Sequence, residues 1–178
     1  MGERLQAIKI IQVIERHKKM IYDFTADNVF EMAEQLERNG AQFYRKAAQH
    51  TDNPEYKNLL VRLSEMEVEH EKIFANLRSE LSGNEKAPTA FDPLDESVLY
   101  LRALADTKVF FEKEIDFSSM KSVLKEAIQT EKDSIVFYLG MKEMVPEKYG
   151  KDKLDKIIKE EMGHIKLLSK ELVATKNG

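Results

Sequence analysis

Three features of the sequence predict an all-α protein in which two like helix pairs form a four-helix bundle. First, the chain of 178 residues contains an internal repeat with a constant offset of 94 residues and no gap. The first copy of its polar motif is Glu37, Tyr44, Glu67 and His70, and the second is Glu131, Tyr138, Glu161 and His164. Second, each copy holds two segments whose apolar residues follow helical periodicity. Third, no convincing alternating strand pattern occurs, so a helical bundle is the expected architecture.

The composition describes an ordinary globular protein of one domain. A net charge of −4 and the lack of an arginine-rich stripe argue against a nucleic-acid partner. The chain has no Cys, which excludes disulfides, zinc thiolate sites and iron–sulfur clusters, so any metal must use N and O ligands. We find no signal-peptide pattern and no apolar run of about 18 residues, so we expect a cytoplasmic protein without a membrane partner.

Residues 1–24 stand outside the repeat and are predicted to form an N-terminal amphipathic helical extension. Their apolar residues include Leu5, Ile8, Ile11 and Ile14, and a basic cluster follows at residues 16–19. We expect this helix to pack on the bundle or on a second subunit. The alternative is a membrane-surface or docking anchor, which the nearby acids Glu3 and Glu15 disfavour.

Residues 25–178 are predicted to form the bundle itself. The first long helix covers about residues 26–49, with Thr25 or Asp27 as its cap. The second helix begins with Pro54 at its first position and ends near Gly83.

A loop and a shorter helix fill the connection between residues 83 and 118, which is long enough to cross the bundle from end to end. Ser118 or Ser119 caps the third helix, Pro146 ends it, and Gly150 precedes the fourth helix. This long crossover between the second and third helices permits a pseudo-twofold axis relating the two helix pairs.

The repeated polar motif predicts a dinuclear metal site. Positions i and i+3 of a helix project from one face, so Glu67 and His70 can hold one metal together, and the same is true of their copies. The predicted ligands are Glu37, Glu67, His70, Glu131, Glu161 and His164. Four carboxylates balance two divalent first-row ions, with some carboxylates bridging. Without metal, we expect part of the Glu side chains to be protonated, and we expect metal loading to raise the melting temperature.

A single Glu-x-x-His on a charged helix is more often solvated surface than a ligand pair. Duplication within apolar helix faces favours the ligand interpretation here. His17 and His50 lack such partners and are interpreted as surface residues. The same interpretation applies to four acids on neighbouring helix faces: Glu65, Glu69, Glu71 and Glu160.

Two tyrosines are candidate catalytic residues. Tyr44 lies seven residues after Glu37, two turns along the same face, and the repeat reproduces this spacing for Tyr138. Each hydroxyl can hydrogen-bond a ligating carboxylate and fix its orientation. The alternative is a buried aromatic ring whose hydroxyl reaches water.

The doubled motif, a Glu-x6-Tyr followed by a Glu-x2-His, resembles the ferritin-like di-iron carboxylate family, specifically its rubrerythrin branch, over residues 25 to about 172. The resemblance implies an antiparallel four-helix bundle with a left-handed crossover. It also implies a non-haem di-iron centre, held by the six residues named above, that reacts with hydrogen peroxide or dioxygen. Mn or Zn can substitute for iron at such N and O ligands. A homodimer is expected from the same resemblance.

The chain departs from the family pattern in two respects. Rubrerythrins proper carry a C-terminal rubredoxin domain, whereas this chain ends at Gly178 without Cys, so we expect an external electron donor such as a rubredoxin-type protein. The family also places an extra carboxylate one turn after the third-helix ligand, where this chain has Ser134, with Gly40 at the equivalent position. These small residues make the site more symmetric and leave space for a small oxidant, although close helix packing explains Gly40 equally well.

The leading interpretation is a rubrerythrin-like di-iron oxidoreductase, a peroxidase-like enzyme of oxidative stress that reduces hydrogen peroxide or dioxygen. A ferroxidase that stores iron is the first alternative, and it requires a closed shell that nothing in the sequence demonstrates. The second alternative is a structural or docking bundle in which the metal only stabilises the fold and the N-terminal segment binds the partner.

Overall fold

The computed structural model describes residues 26–82, 115–144 and 150–175. These residues form four α-helices and no strand: α1 (Ala26–Gln49), α2 (Pro54–Ser79), α3 (Met120–Met144) and α4 (Lys151–Ala174). The predicted all-α four-helix bundle is therefore confirmed. The N-terminal extension and most of the crossover between α2 and α3, residues 83–114, lie outside the described residues. None of the four helices is both long and apolar enough to cross a membrane.

Side-chain caps begin α2 and α3. The side chain of Asn53 accepts hydrogen bonds from two backbone N–H groups of the first turn of α2, at 2.8 and 3.3 Å. Pro54 occupies the first helical position, where its missing N–H costs nothing. Ser119 Oγ accepts from the N–H of Ser122 at 3.3 Å, so Ser119, rather than Ser118, caps α3.

Asp27, a candidate cap of α1, lies inside the first turn of that helix instead. Its carboxylate accepts two hydrogen bonds, at 2.9 and 2.8 Å, from the guanidinium of Arg78 near the end of α2. The helix dipole also favours a carboxylate in a first turn. Asp27 therefore ties α1 to α2, and the other candidate cap, Thr25, lies outside the described residues.

Contacts between α1 and α3 show that these helices run antiparallel. Tyr44 of α1 bonds Glu131 of α3, and Tyr138 of α3 bonds Glu37 of α1. Residue numbers thus rise along one helix as they fall along the other. The two copies of the repeat are therefore related by a pseudo-twofold axis perpendicular to the helices.

The buried apolar side chains form two clusters at opposite ends of the bundle. One cluster joins the first half of α1 to the second half of α2 and includes Phe30 and Phe74. The other joins the second half of α1 to the first half of α2 and includes Tyr44 and Leu60. Residues that the repeat relates lie in opposite clusters: Leu60 belongs to the second cluster, and its equivalent, Leu154, belongs to the first. A polar layer separates them.

Gly150 fixes the start of α4. Its φ of 98° lies in the left-handed region that glycine readily adopts, and a Cβ there would lie 2.7 Å from Cδ2 of the buried Leu77. We expect Gly150→Ala to lower the free energy of unfolding by about 2 kcal/mol, through backbone strain and overpacking. Urea denaturation measures the change.

Gly163→Ala is the matched control, because this glycine lies within α4 and a Cβ there meets nothing within 4 Å. It should raise the free energy of unfolding by about 0.5–1 kcal/mol, since alanine is the better helix former. Equal effects of the two substitutions would contradict the role assigned to Gly150.

Candidate metal centre

The polar layer between the two apolar clusters contains the six side chains predicted as ligands. Each helix contributes to it: Glu37 from α1, Glu67 and His70 from α2, Glu131 from α3, and Glu161 and His164 from α4. All six residues are only 1 to 3% exposed. Burying so many ionisable groups is costly unless a partner compensates them, which indicates a binding role.

The six side chains divide into two groups that share two carboxylates. Within each group, one ligand atom per residue lies within 4.8 Å of the others. The first group is Glu37, Glu67, His70 and Glu161, and the second is Glu67, Glu131, Glu161 and His164. Glu67 and Glu161 belong to both groups, so they stand where bridging carboxylates of a dinuclear centre would stand.

The ligand atoms converge without satisfying one another. His70 Nδ1 lies 2.9 Å from Oε1 of Glu161, and His164 Nδ1 lies 2.8 Å from Oε2 of the same carboxylate. Both Nδ1 atoms and both Glu161 oxygens are nevertheless buried without a hydrogen bond of acceptable geometry to any described residue. Buried polar atoms that converge and stay unpaired are what a bound cation would satisfy. The residues therefore fit a metal centre.

The four carboxyl groups do not share one protonation state. Burial, and next the charge of Glu67, raises the pKa of Glu37 well above its usual range. Burial, and next the charge of Glu161, does the same for the pKa of Glu131. Burial also acts on the two shared carboxyls, but contacts with the histidines outweigh it and lower the pKa of Glu67 and of Glu161. Without metal, these shifts favour the ionised form of the shared pair and the neutral form of the outer pair.

The two histidines supply the compensating positive charge. Burial opposes that charge, but contacts with the carboxylates of Glu131, Glu161 and Glu67 outweigh it and raise the pKa of His164 to about 12. Burial opposes the charge of His70 as well, but contacts with the carboxylates of Glu161, Glu37 and Glu67 raise its pKa far above its usual range. Two imidazolium groups thus balance two carboxylates, in line with the partial protonation of Glu expected from the sequence.

Metal binding at neutral pH should release protons from the two imidazolium groups, and further protons from the outer carboxyls, because ligands must be deprotonated. These pKa values are raised, so protons compete with the metal, and affinity should fall as the pH is lowered. Calorimetric titration with Co(II) in buffers of different ionisation enthalpy counts the protons. A count below about two would contradict this charge arrangement.

Tyr44 and Tyr138 donate hydrogen bonds to carboxylates of the candidate site, as the sequence predicted. Each bond crosses between the halves of the repeat, from Tyr44 to Glu131 and from Tyr138 to Glu37. Burial, and next the charge of the bonded carboxylate, raises the pKa of both phenols well above their usual value. The hydroxyls therefore stay protonated and hold the outer carboxylates in place.

Gly40 lies against one of the shared carboxylates. A Cβ at this position would lie 3.4 Å from Cγ of Glu67, an ordinary contact distance. The side chain of Glu67 thus fills the space beside Gly40, which favours close helix packing over a binding space for the oxidant. Ser134, at the equivalent position of α3, is also buried.

Most of the residues interpreted from the sequence as surface residues are exposed or partly exposed in the structure. His50, Glu65 and Glu69 are exposed, and Glu71 is partly exposed. His17 lies outside the described residues.

The surface interpretation is incomplete for Glu160, which is partly exposed but also contacts a candidate ligand. Its Oε2 lies 2.9 Å from Nε2 of His70, and its side chain is 34% exposed. Glu160 thus connects a buried candidate ligand to the protein surface. One signal for this role is present in the sequence: Glu160 directly precedes Glu161, and the repeat has Met66 at the equivalent position.

An antiparallel bundle of four helices around two buried Glu and His groups, with two carboxylates common to both, is the arrangement of the ferritin-like dinuclear metal-carboxylate proteins. The sequence model of the rubrerythrin family matches residues 7–78 and 28–172, and the chain belongs to this family. The chain is also similar to a crystal structure from Thermotoga maritima, described as a ferritin-like diiron-carboxylate protein. That similarity has 25% identity and a TM-score of 0.63, and it covers 86% of this chain and 98% of the other. A comparison with curated proteins gave no match.

Proposed function

We propose that this protein is a non-haem di-iron oxidoreductase that reduces hydrogen peroxide or dioxygen with electrons from an external donor. The observation that carries the proposal is the pair of buried ligand groups with Glu67 and Glu161 in common. Two metal ions held at adjacent positions can act on one small substrate together. Membership of the rubrerythrin family supports iron as the metal.

The proposed ligands form one pair for each iron and one shared pair: Glu37 with His70, Glu131 with His164, and Glu67 with Glu161. Once deprotonated, four carboxylates neutralise two divalent cations. Mn and Zn suit the same donors. Zn has no redox chemistry, so a zinc-loaded protein should bind metal without turnover.

When bound, two Fe(II) ions would supply the two electrons that, with two protons, convert one hydrogen peroxide into two waters. The protein residues prepare the site for this reaction. The apolar clusters at both ends of the bundle keep bulk water from entering the polar layer along the bundle axis. Tyr44 and Tyr138, by hydrogen-bonding the outer carboxylates, restrict the orientations that these ligands can take. An external donor, such as a rubredoxin-type protein, would then return two electrons.

Stopped-flow oxidation of the Fe(II)-loaded protein tests the proposal. The loaded protein is mixed anaerobically with hydrogen peroxide and, in parallel, with dioxygen, while the ferric absorbance is followed. We expect rapid oxidation by one of these oxidants, followed by repeated cycles of re-reduction without loss of iron. Zinc-loaded protein is the control and should give no absorbance change.

Consumption of many irons per chain, together with a light-scattering mass far above that of a dimer, would instead support iron oxidation and storage. Failure of both oxidants to oxidise a fully loaded protein would contradict the oxidoreductase proposal.

A further inference from the structure

Each half of the repeat supplies three candidate ligands and one tyrosine at equivalent positions. The halves differ beside Nε2 of each histidine, the ring nitrogen that points away from the other candidate ligands. Glu160 Oε2 lies 2.9 Å from Nε2 of His70. The residue equivalent to Glu160 in the other half is Met66, which has no carboxylate. In agreement, Nε2 of His164 is buried without a hydrogen-bond partner among the described residues. Within the described part of the chain, the imidazole of His70 thus has an acceptor for its Nε2 proton, and the imidazole of His164 has none.

This difference bears on metal binding because both histidines direct Nδ1 towards the carboxylates. A neutral imidazole that binds a metal through Nδ1 carries its proton on Nε2. At His70, Glu160 accepts the hydrogen bond from that proton, which selects the binding tautomer and fixes the ring. At His164 the same tautomer buries an N–H without an acceptor, which is unfavourable.

The surroundings hold Glu160 in position. Its side chain lines a groove of about 440 Å³ between α2 and α4, which His70 and Met66 also line. Lys156 Nζ lies 3.7 Å from Oε1 of Glu160, so each carboxylate oxygen has a polar neighbour. Glu160 and Met66, which the repeat places at equivalent positions, thus line the same groove.

We propose that Glu160 is a positioning residue that makes the two metal sites unequal, so that the site of His70 binds its ion more tightly than the site of His164. This inference rests on the two-metal centre of the proposed function. Loss of a carboxylate that supports a ligating histidine typically weakens metal binding about 10- to 100-fold. The two sites should differ by a factor of the same order.

Single-site variants separate this effect from repulsion between two bound ions. Glu131→Ala leaves the group that contains His70, and Glu37→Ala leaves the group that contains His164. The two variants are matched, because each also removes the partner of one tyrosine. In calorimetric titrations with Co(II), we expect Glu131→Ala to bind its ion about 10- to 100-fold more tightly than Glu37→Ala.

Adding Glu160→Ala to Glu131→Ala should abolish that advantage, and Glu160→Gln, which keeps an acceptor oxygen, should restore part of it. Adding Met66→Glu to Glu37→Ala should tighten the remaining site by supplying the missing acceptor. Glu65→Ala is the control, because Glu65 is an exposed acid that lines the same groove. It should change neither site.

Nuclear magnetic resonance of the zinc-loaded, ¹⁵N-labelled protein observes the hydrogen bond between His70 and Glu160 directly. This signal would not change if Glu160 only stabilised the fold. The Nε2 proton of His70 should give a downfield, slowly exchanging signal that Glu160→Ala removes. Equal affinities of the two single-site variants, or an unchanged signal in Glu160→Ala, would overturn the inference. Binding of fewer than two Co(II) ions by the unaltered protein would instead contradict the two-metal centre itself.

Discussion

Replacing a shared carboxylate should abolish metal binding at both positions, whereas replacing an outer carboxylate should abolish it at one. Glu161 contributes to both ligand groups, and both of its oxygens face histidine nitrogens. Glu131 contributes to one group only. We therefore expect the iron content to fall from about two per chain to near zero in Glu161→Ala, but to about one in Glu131→Ala. Anaerobic equilibrium dialysis followed by elemental analysis measures the content.

Two comparisons make this result interpretable. Circular dichroism should show that both variants keep their helices, because neither substitution removes an apolar contact of the two clusters. Glu69→Ala is the control, because it removes the charge of an exposed acid of α2. It should keep two irons per chain, which would show that the loss of one negative charge is not by itself enough to lower the iron content. Two irons in Glu131→Ala would contradict the ligand assignment, and one iron in Glu161→Ala would contradict the shared role.

Metal loading should raise the melting temperature of the protein by about 15–30 °C. A ligand that binds only the folded state stabilises it by about 4 kcal/mol per site at a free concentration a thousandfold above its Kd, so two sites add about 8 kcal/mol. For a protein of this size, about 1 kcal/mol corresponds to a shift of 2–4 °C. The ligands come from all four helices, so unfolding any one of them breaks the centre.

Calorimetric melting of chelator-treated protein, with and without added Fe(II) under anaerobic conditions, measures the shift. Zn(II) should stabilise as well, because stabilisation needs the ligands and not redox chemistry. Glu161→Ala should not respond to either metal. An unchanged melting curve of the unaltered protein on adding Fe(II) would show that the polar layer does not bind it.

The sequence predicted most helix boundaries closely because local signals set them, but α2 ends at Ser79, four residues before the predicted end near Gly83. Pro54 begins α2 as expected, and a serine of the predicted pair caps α3. Asp27 shows the limit of such signals. An acid near a helix start can cap that helix or bind a distant cation, and the position of Arg78 decided the outcome.

The candidate ligands were also predictable, because both copies of a gapless repeat place Glu and His three residues apart on a helix. The repeat could not show that Glu67 and Glu161 would be common to both groups. Nor could it assign the tyrosines to carboxylates of the opposite half. Both facts depend on how two helix pairs meet.

The sequence by itself thus determined the helices, the residue types of the polar layer and the twofold repeat, because each depends on neighbours within a few turns of one helix. Only the tertiary structure decided which carboxylates are shared, which hydroxyl holds which ligand, and that Glu160 reaches His70. The physical reason is that these contacts depend on the rotation and register of one helix against another. Packing of the two apolar clusters sets both, and no local pattern encodes them.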